Sequence, residues 1–368
     1  MKTRQRLALT LAMAALAALV PAAPAMAKRS YKKAIWGPVV KDGQSQFPIY
    51  KDLGAGIYEA QLRWSEVATH RPMDPTNPED PAYAWPEDLD QAQVEAPGLH
   101  IRLAFMVIYS PSWANGGRAK NYAPTDPADY AAFVTAAAKR YPAAHLWIIW
   151  GEPSRDVNWR PLTPETRGAP LNAEQAKAPH AYAQLLDMAY GALHGVNPEN
   201  KVVGGNSFTT GDISPLNWIR NLKLPNGHAP RMDYYGHNPF TGRKPDLRKT
   251  QLRYGLADFS DLDTLWGWLD KYLRPTLPGH PRLKVFLTEF LLPTDHPNYE
   301  FNFWVTRGTQ ASWLKAALRI VKASKRIFSL GWFSLYDEAP NRRNDQVNHG
   351  LLDYRGNKKP AYFTYRRA

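Results

Sequence analysis

Eight short runs of apolar, β-branched and aromatic residues recur along this chain, at 34–36, 57–63, 100–108, 145–150, 201–205, 232–236, 284–288 and 330–335. Longer amphipathic stretches or loops separate them, and helix spacing marks 86–95, 126–140, 180–196, 215–222, 258–274 and 309–325. In the last stretch Trp313, Ala317, Ile320 and Ser324 share one face, with Leu314, Leu318 and Val321 beside it, the period of a helix packed on a core. Asp126 offers an N-cap and Pro127 suits a first helical turn. Strands alternating with helices form βαβ units and a parallel sheet. Eight such units predict an α/β fold, a (β/α)8 TIM barrel, which runs from about 200 to over 400 residues. The rival, a doubly wound open sheet, would often carry a Gly-rich nucleotide turn after its first strand, and Trp36-Gly37-Pro38 is not one. With no internal repeat, low-complexity linker or break in composition, residues 28–368 read as a single domain. The Pro-, Asn- and Asp-rich segments 71–81, 153–179 and 291–308 then become long loops after strands, on the face where barrel active sites lie.

Charge and cysteine narrow the chemistry. The chain has no Cys, which removes disulfides, thiolate metal sites and a cysteine nucleophile. Lys2, Arg4 and Arg6 precede an apolar run at 7–20, and Ala25-Met26-Ala27 has the small-x-small form of a signal-peptide cleavage site. The run is shorter than the roughly 20 residues a bilayer span needs, so residues 1–27 are expected to be removed and the protein secreted to the exterior or cell envelope, without stable membrane insertion. Removal takes three cations from a formal +13 and leaves 341 residues at +10. The basic residues are scattered, in groupings no denser than pairs such as Lys28-Arg29, Lys32-Lys33 and Arg366-Arg367. No element joins them to interleaved stacking aromatics, so nucleic acid is not the expected partner; the residual charge suggests affinity for an acidic or cell-envelope glycan.

Two carboxylates sit at the ends of apolar runs, Glu152 after Leu146-Trp147-Ile148-Ile149-Trp150-Gly151 and Glu289 after Val285-Phe286-Leu287-Thr288. A glutamate ending a buried strand is costly unless it is paired, hydrogen-bonded or working. These two end the fourth and seventh strands, across the mouth of a barrel, where both can reach one substrate. Such a pair fits glycoside hydrolysis, in which one carboxylic acid protonates the leaving oxygen while the other carboxylate attacks the anomeric carbon or activates water. Trp36, Trp64, Tyr109, Trp113, Trp150, Trp159 and Trp332 lie in, at or just after strand ends, where flat faces could stack on sugar rings or simply fill the core.

The order of Trp150-Gly151-Glu152-Pro153 and Thr288-Glu289-Phe290 resembles the retaining glycoside hydrolases of clan A, the 4/7 superfamily, with family 39-like and family 5-like enzymes nearest. Leu62-Arg63-Trp64 resembles the arginine-bearing end of their second strand, and Ser110-Pro111-Ser112-Trp113-Ala114 their Pro-x-Trp loop after the third. His237-Asn238-Pro239-Phe240 is similar to their histidine segment after strand six, and Trp332 to their strand-eight tryptophan. Gly350-Leu351-Leu352-Asp353 with Lys359-Pro360-Ala361-Tyr362 resembles the segment before their last helix. The resemblance implies that Glu152 is the general acid/base and Glu289 the nucleophile of a double displacement. It also implies that Arg63 lies near Glu289 and holds it ionised, with a structural ion pair as its alternative, and that His237 bonds substrate or nucleophile, with a satisfied buried histidine as its alternative. No cofactor is expected.

The family usually has Asn where this chain has Gly151, and Pro239 and Phe240 stand near where a tyrosine is common. Asn158, Asn206 and Asn238 are candidates to supply the missing sugar contact. Two other readings follow from the same residues: a non-catalytic carbohydrate-binding barrel, and a metal-dependent hydrolase using His100, His145, His237 and Asp233, although no HxH or HExxH spacing is present. A transglycosylase would use the same covalent intermediate.

Overall fold

The computed structural model describes residues 27–368; apart from Ala27, the expected signal segment lies outside the described residues. Strands β1 (Ser30–Trp36), β2 (Ala55–Arg63), β3 (Arg102–Ile108), β4 (Ala144–Ile149), β5 (Lys201–Phe208), β6 (Tyr234–Asn238), β7 (Lys284–Phe290) and β8 (Ile327–Trp332) pair in parallel around a closed ring. β1 meets β8 through Lys33–Leu330 and β2 through Ile35–Tyr58, which closes the (β/α)8 barrel. Outside lie α1 (Phe47–Leu53), α2 (Glu87–Gly98), α3 (Pro127–Arg140), α4 (Lys177–Val196), α5 (Pro215–Asn221), α6 (Leu262–Tyr272), α7 (Arg307–Ala323) and α8 (Pro360–Arg367). None of the described helices is long and apolar enough to cross a membrane.

Local chemistry accounts for the helix ends. The Asp126 carboxylate accepts the amide of Ala128, with Pro127 at the first position and Lys139 and Arg140 in the last turn. Thr306 caps α7 through the Thr309 amide. The periodicity misses α1, a seven-residue helix with a proline in its first turn. Gly54 stops it at φ +67°, and a Cβ there would come within 2.8 Å of the Lys28 carbonyl, so a side chain is excluded both by conformation and by space.

The helices fix the strand ends that carry the site. Tyr130 of α3 donates its hydroxyl to the Val107 carbonyl at 2.8 Å, and Tyr182 of α4 donates to that of Ile149 at 2.7 Å. A buried tyrosine left without such a partner would lose the equivalent of a hydrogen bond; here that requirement pins the last residues of β3 and β4. The stretch expected at 232–236 forms a strand that continues to Asn238, so His237 and Asn238 lie within β6. The run expected at 330–335 begins at Ile327 and stops at Trp332.

Candidate active site

Glu152 and Glu289 line one cavity of about 380 Å³ at the C-terminal ends of the strands, together with Gln61, Tyr109, Phe240 and Phe333. Two non-glycine residues that line it, Tyr109 and Glu152, have φ values of +68° and +45°, and the buried Asn206 behind it has +38°, the left-handed region that non-glycine residues rarely adopt and that clusters at functional sites.

Glu152 stands three residues past β4 and is 6% exposed. The chain turns tightly after it, with the Arg155 amide on the Glu152 carbonyl and the Asn158 amide on that of Arg155. This turn brings two side chains back onto the carboxylate: Arg155 Nη1 at 2.8 Å and Asn158 Nδ2 at 3.2 Å, both on Oε2. Asn238 Nδ2 donates to Oε1 at 2.7 Å from β6. Burial pushes this carboxyl above the ordinary carboxylate range, while Arg155 and Asn238 pull it back in part.

Glu289 is the contrast. Its amide donates to Asn238 Oδ1 at 3.0 Å, but among the described residues no donor bonds its carboxyl. Burial, and then the charge of Glu152, push it well up, with Arg155 opposing. The two carboxyls therefore behave as one coupled pair, and in the free protein the proton is held more firmly on Glu289. That is opposite in sense to the roles implied by the resemblance.

Asn238 joins the two positions, since its carbonyl oxygen also lies 2.6 Å from the Thr288 hydroxyl. Asn206 sits behind it, next to the same hydroxyl, and donates Nδ2 to the Trp150 carbonyl at 2.9 Å. His237 is fully buried between the Ser207 hydroxyl at 2.9 Å and the Ala257 carbonyl at 3.1 Å. A carbonyl can only accept, so Nε2 carries the proton, and burial pushes the imidazole down to about 4. It is a neutral spacer between β6 and its following loop, and it does not line the cavity.

Several expected contacts take other forms. Arg63 does not pair with Glu289; it bonds Glu66 at 3.3 Å and Gln61 at 3.0 Å, on the wall of an adjoining hollow. Trp64 is buried under the rim, stacked on Phe133 at 5.6 Å and edge-on to Trp113 at 5.5 Å. Trp113 is covered by Arg71 and spends its indole N–H on the Ala68 carbonyl. Trp332 is buried against Phe290, and the next residue, Phe333, faces the cavity instead. These three tryptophans serve the core because the helix layer encloses the strand ends. Of the expected aromatic contacts, Tyr109 lines the cavity.

A Cβ on Gly151 would come 2.9 Å from Met106 Sδ and 3.0 Å from Ile108 Cδ1. Those β3 side chains fill the space that an asparagine would need, so amide donors reach the site from Asn158 and Asn238. Among the described residues, no three His, Asp or Glu side chains are grouped as a metal ion would require.

Glu59 is a carboxyl the apolar pattern of β2 conceals. It is fully buried, with neither oxygen partnered among the described residues. Burial first, and then the charge of Glu289, push it well above its ordinary range, so it is neutral in the folded state and ionised in the unfolded one near pH 7. The folded state thus holds the extra proton, and stability falls as pH rises above the unfolded value. Glu59→Gln is expected to remove this dependence, raising the melting temperature more at pH 8 than at pH 5. An equal change at both pH values would show that Glu59 is already charged in the folded protein.

No protein-family model matches the chain, and no curated protein matches it in sequence. Solved structures do match. A family 39 glycoside hydrolase from the gut symbiont Bacteroides cellulosilyticus WH2 superposes with a TM-score of 0.67 at 18% identity, over 92% of this chain and 63% of its own. A monomeric beta-xylosidase from Caulobacter crescentus CB15 gives 0.60 at 18% identity, over 93% and 68%. The GH39 enzyme from Xanthomonas axonopodis pv. citri gives 0.58 at 16%, over 91% and 65%. The chain thus shares the barrel of family 39 enzymes and spans about two thirds of their length.

Proposed function

We propose that the protein is an exported retaining glycosidase that cleaves a poly- or oligosaccharide through Glu152 and Glu289. The observation that carries this reading is the placement of two coupled carboxyls in one cavity at the C-terminal mouth of a barrel shared with family 39 glycoside hydrolases. Glu152 delivers a proton to the glycosidic oxygen and the leaving sugar departs. Glu289 attacks the anomeric carbon to form a glycosyl-enzyme, and Glu152 then takes a proton from the water or sugar hydroxyl that releases it. Because the donors converge on Glu152 in the free protein, binding of substrate has to move the pair's proton from Glu289 to Glu152. Arg155 offers a route: it already lies 3.5 Å from Glu300, and transfer to that carboxylate would release its hold on Glu152. Export rests on the pattern of residues 1–27.

The direct test is mass spectrometry after treatment with covalent glycosidase inhibitors of different sugar configuration. Labelling at Glu289 supports the mechanism and identifies the sugar class. Labelling at Glu152 would exchange the roles, and binding of glycans with no label and no release of reducing ends would leave a non-catalytic binding barrel.

The cleft also supports a substrate with sugar units on both sides of the scissile bond. Beyond the wall formed by Arg155, Phe240 and Phe301, the cavity continues into a hollow of about 960 Å³ edged by Phe208 and Phe303. Phe208, Phe240, Phe301 and Phe303 follow one another with ring centroids 5.3 to 6.0 Å apart, an apolar wall in which the buried Phe208 and Phe240 back the more exposed Phe301 and Phe303. Past Gln61 and Phe333 on the other side lies a hollow of about 440 Å³ that contains Arg63 and Glu66. Internal cleavage of a linear hexasaccharide is therefore expected to precede any monosaccharide. Time-resolved chromatography that found only terminal monosaccharide at early times would contradict it.

A further inference from the structure

The pole of the barrel opposite the glutamates holds a second concavity, of about 480 Å³. Lys32 and Lys33 enter it from the start of β1, and Lys28 and Arg29 from the residues just before it. α7 adds Lys315, Arg319 and Lys322, and the end of α8 adds Arg367. Among the described residues no Asp or Glu side chain lines it, and none of these eight cations forms an ion pair. Leu318 and Val321, both buried, make its apolar floor.

Ordinary surface chemistry does not produce this arrangement. Lys322 and Arg367 lie in the last turns of their helices, where the helix dipole favours cations. Lys315 and Arg319 stand further up α7, spaced by four and then three residues from the next cation on the same exposed face, a spacing at which like charges repel. Lys33 is 2% exposed and donates Nζ to the carbonyls of Leu53 at 2.7 Å and Tyr365 at 3.0 Å, and it pairs with no carboxylate among the described residues. Burial, with Arg366 and Lys322 nearby, pushes this ammonium down to about 8. The fold thus collects eight cations around a hollow in which, among the described residues, no Asp or Glu side chain and only the α-carboxylate of Ala368 stands against them.

We infer that this hollow is a binding site for an anionic glycan, one acidic sugar unit of which enters the cavity while neighbouring units meet the exposed Lys28 and Arg29 ahead of β1 and the exposed cations of α7. The volume falls in the range of about 300 to 1,000 Å³ that ligand sites occupy. Its lining has no aromatic side chain to stack a base, which disfavours single-stranded nucleic acid. It also has no exposed aromatic or large aliphatic side chain of the kind that enters a bilayer interface, which disfavours a lipid surface. The site stands apart from the cleft and does not depend on the glycosidase reading.

Calorimetric titration of the full chain tests it, with oligogalacturonate as the carboxylated glycan, dextran sulfate as the sulfated one, neutral dextran as control and phosphatidylglycerol vesicles as the lipid surface. An acidic glycan is expected to bind and to weaken as salt rises. The triple variant Lys315→Gln/Arg319→Gln/Lys322→Gln is expected to lose at least tenfold in affinity while keeping the circular dichroism of the parent. Arg319→Gln alone, on an exposed face, is expected to lose a measurable part of it, so the test does not rest on the triple variant folding. Unchanged affinity in the charge variants, equal binding of neutral dextran, or binding of vesicles with no binding of either acidic glycan would each overturn the proposal.

Discussion

Glu289→Gln is expected to lower glycoside turnover by about 10³-fold or more while leaving the barrel folded. The carboxyl lines the cavity without a hydrogen-bond donor of its own, so its amide replacement breaks no bond among the described residues. Because burial and the charge of Glu152 raise its pKa, the folded state holds a proton that the unfolded state has released near neutral pH. The variant should therefore melt at or above the parent temperature at pH 7. Glu152→Gln is expected to cost about 10² to 10⁴, least for a substrate whose leaving group needs no protonation. Azide separates the roles in the alanine variants: it should rescue Glu152→Ala with retained anomeric configuration and Glu289→Ala with inverted configuration. The reverse pattern would make Glu152 the nucleophile, in line with the three donors it carries in the free protein. Removing the Glu152 charge should also lower the Glu289 pKa, shifting the pH profile of covalent labelling toward acid. An unshifted profile would mean that the two carboxyls are not coupled.

The largest expected loss of stability comes from Lys359→Met. Lys359 and Asp337 form an ion pair at 2.9 Å with side chains 1% and 3% exposed. The ammonium also reaches Thr294 Oγ1 at 3.0 Å, while the Gly350 amide donates to Asp337 at 2.7 Å. Burial lowers the lysine and raises the aspartate, each opposed by its partner. Without the lysine a carboxylate stays buried and uncompensated, an arrangement that costs about 3–5 kcal/mol. Urea unfolding should show that loss, and Lys359→Met/Asp337→Leu should recover most of it. Through Thr294 the ammonium ties the loop after β7 to the segment after β8, and those loops bring Tyr299, Phe301 and His349 to the cavity. The single variant should therefore also weaken substrate binding. A loss below about 1 kcal/mol, the scale of an exposed pair, would show that water reaches the site.

The barrel was legible because its evidence is local. Alternation of short apolar runs with helical spacing recurs within windows of about 15 residues, and all eight expected strands close in the expected ring. Glu152 and Glu289 stood out for the same reason, as charges at the ends of apolar runs. Arg155 had a readable signal in its position three residues after Glu152, yet only the tight turn at 152–159 directs it back onto the carboxylate. Glu59 had no signal, because an inward-facing carboxyl within an apolar run looks like an interruption of the pattern. Trp64, Trp113 and Trp332 show the limit of composition: an aromatic residue at a strand end is equally suited to sugar or to core, and the packing of the helix layer decides.

The sequence alone determines the (β/α)8 barrel, the two strand-end carboxyls and the net positive charge. The tertiary structure decides the electrostatics. It places Asn238, 86 positions away in the chain, on the Glu152 carboxylate, leaves the Glu289 carboxyl without a donor among the described residues, and gathers cations scattered from 28 to 367 around one hollow. Periodicity arises between near neighbours and is written along the chain, whereas desolvation and Coulomb interactions depend on distances in space, which exist only once the barrel has closed.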